Sequence, residues 1–201
     1  MKKNFKDLLQ ISSRHILNGD TISIPTDTFY GLSCNSLDST ALSNLFDIKL
    51  RDKANPVPIL VSSIEHAKEF GAKFKGIENL VENFWPGPLT LLLETKYSFP
   101  ESMVKKEGLV GFRVPDLEFP IKLMEHTGLP LSGTSANISG SPETKNIKQL
   151  RRYFYEGKVR YFVDLPCGES VKPSTVARIK DGSVNILRQG TISQSLIESY
   201  L

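Results

Sequence analysis

With 201 residues, 39% of them apolar, the chain reads as a soluble globular domain with material for a sizeable core, and one domain over residues 1–201 is the default. Its longest apolar runs, such as Pro88–Leu93, fall far short of a bilayer span, which excludes membrane-spanning helices, and a formal charge of +3 permits anionic partners without requiring them. Two cysteines argue against a disulfide framework, and three histidines (His15, His66, His126) without ligand spacing argue against a structural zinc. The N-terminus mixes Asp7 and Gln10 into a helical pattern and lacks the apolar core of a secretory signal, so a cytoplasmic address is expected.

Residues 4–18 carry Phe5, Leu8, Leu9, Ile16 and Leu17 at near-helical spacing, with Asn18-Gly19 as the stop. A short strand is expected at 21–24, ending at Pro25. Asp38 or Ser39 can cap a helix with Ala41, Leu42, Leu45 and Phe46 on one face. Residues 57–61 read as a buried strand in which Pro58 suggests an edge or an irregular start. Helices are expected from Ser63 to Gly71 and over 76–84, the second ended by WPGP. Strands follow at 89–94 and 109–114, then a helix confined to the second half of 117–126. Segment 132–141 (SGTSANISGS) is too polar and small for regular structure. A helix at 147–154, strands at 160–163, 174–179 and 183–187, and a closing helix at 193–201 complete an α/β domain with a mixed sheet. GxGxxG and GxxxxGK[ST] are both absent, so nothing supports a Rossmann or P-loop assignment.

Polar groups gather at the ends of these elements. Lys49 and Arg51 follow the second helix, and in an extended segment positions two apart point to the same side. Two adjacent cations call for an anion, and a polyphosphate suits both; the bland alternative is a solvated helix C-terminus. PTDT at 25–28 offers hydroxyls and a carboxylate near one point, or else an ordinary turn with Asp27 capping local amides, and Gly31 after Tyr30 suggests a hinge. In SGTSANISG, Gly133 and Gly140 let backbone approach a ligand while Ser135, Asn137 and Ser139 supply polar atoms; a long polar turn is the competing reading. Arg113 ends an apolar strand and must face a carboxylate, either an internal one such as Asp116 or a ligand's. Ser174 and Arg188 repeat the theme. No Cys–His or Ser–His pairing and no carboxylate pair stands out, so the composition favours binding and orienting anions over covalent catalysis.

PTDTFYGL (25–32), the KxR motif Lys49-Leu50-Arg51, FWPGPLTLLL (84–93), GFRVP (111–115), the SxN motif Ser135–Asn137, PSTV (173–176) and LRQG (187–190) occur in this order. Together, from about residue 10 onward, they resemble the YrdC/Sua5 family in its short form. The resemblance implies an open twisted mixed sheet with surrounding helices and a large concave cavity. It implies synthesis of L-threonylcarbamoyladenylate and pyrophosphate from L-threonine, bicarbonate or CO2, and ATP with its Mg2+, with no metal ligand from protein side chains. The product would pass to a tRNA threonylcarbamoyl transferase complex for the t6A modification of ANN-decoding tRNAs. By resemblance Lys49, Arg51, Asn55, Ser135, Asn137, Ser141 and Arg188 lie on the ATP side, with Lys49 and Arg51 carrying catalysis, and Thr28, Arg113 and Ser174 contact threonine. The loop after SxN is shorter than in many relatives, and Leu60 stands where some longer members carry histidine.

Two rivals remain at this stage. Segment 145–161 interleaves Lys145, Lys148, Arg151, Arg152, Lys158 and Arg160 with Tyr153, Phe154, Tyr155 and Tyr161, which would suit an RNA- or tRNA-binding paralogue, or an amphipathic helix with its aromatics in the core. A carbamoyl-transfer relative of hydrogenase-maturation proteins would need zinc-finger and acylphosphatase-like segments that the sequence does not show.

Overall fold

The computed structural model describes residues 4–52, 54–105, 107–154 and 157–201. Helix α1 (Phe5–Leu17) starts where the Asn4 side chain accepts from the Asp7 amide at 2.9 Å, and it stops at Asn18 before Gly19, whose φ is 77°. Strand β1 (Ile22–Ile24) follows as expected, but Tyr30-Gly31 is no hinge: Gly31 opens β2 (Gly31–Ser33). Helix α2 (Ser39–Lys49) is capped by Asp38, whose Oδ1 accepts from the Thr40 and Ala41 amides at 2.8 and 3.1 Å. Such a cap contributes about 1 kcal/mol. Its apolar residues Ala41, Leu42, Leu45 and Phe46 are all buried.

Strand β3 keeps only Ile59–Leu60, and it is a central strand, so Pro58 marks an irregular start and not an edge. Helices α3 (Ile64–Glu69) and α4 (Glu78–Phe84) precede β4 (Leu89–Glu94) and β5 (Leu109–Arg113). Helix α5 (Glu118–Thr127) runs through the whole predicted segment and not just its second half. Pro120 sits in its first turn, where a missing N–H removes no intrahelical bond. The polar stretch 132–141 does form regular structure: β6 (Leu131–Ser132) and β7 (Thr134–Ser135) flank Gly133. The chain ends with α6 (Ile147–Tyr153), β8 (Tyr161–Phe162), β9 (Thr175–Lys180), β10 (Ser183–Arg188) and α7 (Gln194–Glu198).

The fold is α/β with mixed pairing, but the strands form two sheets and not one. The smaller runs β7-β2-β1-β8 and the larger β10-β9-β4-β5-β3-β6. The chain passes between them at Gly133, where a Cβ would stand 2.7 Å from the Leu60 side chain. Backbone pairing of Ser132 with Cys34 at 3.0 Å, and a Ser33 hydroxyl donating to the Ser132 carbonyl at 2.8 Å, stitch the sheets along this seam. One apolar core packs α2, α4 and α7 against the strands, and a second lies where α1 and α5 cover β1. Short elements meeting at a seam leave strand ends and loops converging on one side, and the cavity lies there.

Candidate active site

A cavity of about 250 Å³ opens among the 26–31 turn, the Arg51–Pro58 segment, strands β4 and β5, the 133–135 crossover and the Pro173–Ser174 turn. Six of the ten residues expected at the site line it: Thr28, Arg51, Arg113, Ser135, Ser174 and Arg188. Lys49, Asn55, Asn137 and Ser141 do not.

Arg113 is 7% exposed, and the internal carboxylate it faces is Asp27 and not Asp116. Its Nη2 donates to Asp27 Oδ1 at 2.5 Å and its Nε to the Gly87 carbonyl at 3.1 Å. The other Asp27 oxygen, Oδ2, is buried without a hydrogen-bond partner among the described residues. Asp27 therefore anchors the arginine, and Thr26 takes over the turn: its hydroxyl donates to the Phe29 carbonyl at 2.7 Å and accepts from the Thr28 amide at 3.2 Å. Since that single hydrogen is committed, the 3.0 Å contact between the two threonine hydroxyls has Thr28 as donor. Toward the cavity Thr28 Oγ1 then presents lone pairs, which suit an ammonium or a hydroxyl.

Arg188 leans on the Pro173–Ser174 turn. Its Nε and Nη2 donate to the Ser174 carbonyl at 3.1 and 2.9 Å, and Nη2 also donates to the Ser174 hydroxyl at 2.9 Å. Ser174 Oγ lies a further 3.0 Å from Thr90 Oγ1. Enclosure in the cavity lowers the Arg188 pKa, and repulsion from both Arg113 and Arg51 adds to it while Glu143 opposes it. Arg188 therefore stands within electrostatic reach of both arginines.

Lys49 and Arg51 do not share a side. Leu50 ends α2 in the left-handed region, with φ 50° and ψ 41°, so the extended geometry expected there is not adopted and the two cations take different hydrogen-bonding seats. Arg51 goes to the cavity, held by its Nε donating to the Asn55 carbonyl at 2.7 Å; Asn55 contributes that oxygen, and its residue is exposed. Lys49 goes inward. Only 1% exposed, it donates from Nζ to the Ser135 carbonyl, to the Asn137 carbonyl at 2.8 Å and to Asn137 Oδ1 at 3.0 Å. All three ammonium hydrogens are thereby used. Burial and the nearby Arg51 push its pKa down to about 7, while Glu143 opposes the shift. Asn137 Oδ1 also accepts from the Ser135 hydroxyl at 2.7 Å, and the Asn137 amide donates to the Ser141 carbonyl. Lys49, Asn137 and Ser141 are thus braces behind the wall that Ser135 presents.

Two cavity residues carry no signal in the sequence. Lys105, in an unremarkable charged stretch, is brought beside Arg51, and burial followed by that neighbour lowers its pKa. Glu143, in the turn after SxN, lines the cavity as well. One Ser–His contact exists: Ser62 Oγ lies 2.9 Å from His66 Nδ1, which also accepts from the Ser62 amide at 3.1 Å. It is a local feature at the start of α3, and neither residue lines the cavity. Among the described residues no group of three or more His, Cys, Asp or Glu is placed to hold a metal ion, and no helix is long and apolar enough to cross a membrane.

In the basic segment the described aromatics are buried or half-buried. Phe154 is buried, Tyr153 packs at the core's edge, and Tyr161 stacks on His15 at 5.5 Å. Lys145 donates to the Gly168 carbonyl, and Arg151 and Arg160 lie 3.9 and 3.7 Å from Asp164 and Asp20. Tyr155 lies outside the described residues.

The sequence profile of the Sua5/YciO/YrdC group, described as "Telomere recombination", matches residues 14–190. The chain belongs to the Sua5/YciO/YrdC family. It is 31% identical over 194 residues to the threonylcarbamoyl-AMP synthase of Pyrococcus abyssi, covering 96% of this chain and 57% of that protein. To the Bacillus subtilis threonylcarbamoyl-AMP synthase it is 30% identical over 188 residues, covering 90% and 53%. The chain thus spans just over half the length of these two family members. The crystal structure of P. abyssi Sua5 complexed with L-threonine superposes with a TM-score of 0.90 at 29% identity, over 100% of this chain and 59% of that one. E. coli YciO shares the fold at a TM-score of 0.83 and 20% identity, over 100% and 95%.

Proposed function

We propose that this chain is an L-threonylcarbamoyladenylate synthase, a nucleotidyltransferase that joins L-threonine, bicarbonate or CO2, and ATP. The observation that carries this reading is that Arg51, Arg113 and Arg188 line one and the same cavity. One half, with Thr28, Arg113 and Ser174, suits an amino acid; the other, with Arg51, Lys105 and Ser135, suits a polyphosphate. The family relatives named above, and the threonine complex of one of them, support the assignment.

The threonine carboxylate takes the guanidinium hydrogens that Arg113 leaves free of Gly87 and Asp27, and its ammonium or hydroxyl meets the lone pairs of Thr28. Once the ammonium has given up a proton to solvent, the free amine bonds to the carbon donor and gives the carbamate, with loss of water if bicarbonate is used or of a second proton to solvent if CO2 is used. A carbamate oxygen then attacks the α-phosphorus in line, the Pα–O bond to the β-phosphate breaks, and pyrophosphate leaves. No protein nucleophile is required: holding two anions in line and offsetting their charge supplies most of the barrier reduction. Arg51, Lys105 and Arg188 do that offsetting, while Lys49, Asn137 and Ser141 hold the Ser135 wall in register. Mg2+ carried by ATP would add neutralisation on the pyrophosphate. The adenylate is consumed by a transferase acting on tRNA.

Mass-spectrometric detection of threonylcarbamoyl-AMP from purified protein, threonine, bicarbonate and Mg-ATP tests the assignment, with Arg51→Ala expected to lose 100-fold or more in pyrophosphate release. No product from the wild type, or equal turnover in Arg51→Ala, defeats it.

A further inference from the structure

Among the described residues that line the cavity Glu143 is the one carboxylate, and the reaction as derived gives it no task. It forms no hydrogen bond or ion pair with the described residues, yet its field reaches Lys49 and Arg188, so it stands at the cation-rich half. Its position is held from both sides. Before it, the Ser141 amide donates to the Ile138 carbonyl at 2.9 Å and the Ser141 carbonyl accepts from Asn137; after it, the Thr144 carbonyl accepts from the Tyr30 amide at 3.2 Å.

A carboxylate whose field reaches Lys49 and Arg188, in the same cavity as Arg51 and Lys105, opposes the binding of a bare triphosphate, because like charges in an enclosed site repel strongly. A divalent cation reverses that sign. Mg2+ is ordinarily held by one or two carboxylates plus substrate phosphates and waters, and a single carboxylate facing the polyphosphate half meets that need. With no cluster of three or more acidic, His or Cys ligands among the described residues, such a cation has no self-sufficient protein site and enters with the nucleotide. We infer that Glu143 supplies the protein's carboxylate ligand to the divalent cation that accompanies ATP. This refines the expectation of no protein ligand, and it rests on the ATP reading above.

The test is calorimetric titration of full-length wild type and Glu143→Gln with ATP, in the absence of threonine and bicarbonate, with and without Mg2+ at fixed ionic strength. Wild type should bind Mg-ATP at least 10-fold more tightly than metal-free ATP. Glu143→Gln should bind metal-free ATP several-fold more tightly than wild type and gain less than 2-fold from Mg2+. With Mn2+ as probe, the water-proton relaxation of the protein–Mn–ATP complex should change between the two proteins. An equal Mg2+ ratio in both overturns the inference and leaves the synthase reading standing. An equal ratio joined to a shifted pH profile of product formation in Glu143→Gln also overturns it, assigning Glu143 to the threonine amine instead. Failure of wild type to bind ATP in either condition overturns both.

Discussion

Arg113 and Asp27 form a buried pair at 2.5 Å whose side chains are 8% and 10% exposed, and the pair is stretched between two tasks. Asp27 holds the guanidinium still, but at the cost of a second carboxylate oxygen with no partner among the described residues. Removing one member of such a pair strands a charge and costs about 3–5 kcal/mol. Arg113→Ala is therefore expected to lose about that much in a urea unfolding titration, and Arg113→Ala/Asp27→Asn to recover part of it. Lys49 gives a second measurable signature. Its folded pKa of about 7 lies below the ordinary 10.5, so between those values the unfolded chain holds a proton that the folded one has released. Unfolding free energy consequently rises with pH across that window, by at most about 1.4 kcal/mol per unit from this group. Lys49→Met should lower stability at every pH, since three buried oxygens lose their donor, and should flatten that slope relative to wild type; an unchanged slope would show that Lys49 stays charged throughout.

At the scale of elements, LRQG and PST act as one piece because Gly190 lies flat on the Pro173–Thr175 backbone. A Cβ at 190 would stand 2.2 Å from the Pro173 carbonyl oxygen and 2.5 Å from the Ser174 carbonyl carbon, so backbone must move. Gly190→Ala is expected to cost about 1–3 kcal/mol. By displacing the seat of Arg188 it should also raise the threonine KM more than it lowers thermal midpoint in proportion, a split visible in steady-state kinetics. Much of this scale was legible. Asp38, Gly71, Gly128 and the WPGP turn punctuate helices by local chemistry, and they fall where the sequence puts them. Strand β2 was missed because its residues follow a turn motif and contain glycine, and its pairing partners, β1 and β7, are set by tertiary context. For the same reason β7 hides in a serine-rich segment: a two-residue strand has no periodicity to detect. The polar loops did point to one cavity, since Thr28, Arg51, Arg113, Ser135, Ser174 and Arg188 all line it. Lys105 and Glu143 could not be found that way, because nothing in their neighbours distinguishes them from solvated charges. Nor could residue spacing reveal that Leu50 would turn left-handed and give Lys49 and Arg51 different hydrogen-bonding seats.

For the whole molecule, the two-sheet arrangement explains why groups more than a hundred residues apart share a cavity. β1–β2 of one sheet deliver the 25–30 turn, β4, β5 and β9 of the other deliver Thr90, Arg113 and Ser174, and the seam at 131–135 connects them. Cations on the 145–160 face remain exposed while Phe154 is buried and Tyr161 stacks on His15, so a nucleic-acid contact through these described residues would be electrostatic and not by base stacking. Binding of tRNA to this face, if measured by filter retention, should weaken steeply with added salt and be insensitive to Tyr153→Ala.

The ammonium of Lys49 has one more consequence, and it concerns time and not affinity. The last residue of α2 donates to the Ser135 and Asn137 carbonyls, and its own carbonyl accepts from the Ser139 amide at 3.1 Å. The 135–139 loop is therefore welded to the end of a helix whose other face is core, and it cannot open by loop motion alone. Its amides should exchange with solvent deuterium at the rate set by fraying of α2, as one cooperative unit, and far more slowly than a glycine- and serine-rich sequence would suggest.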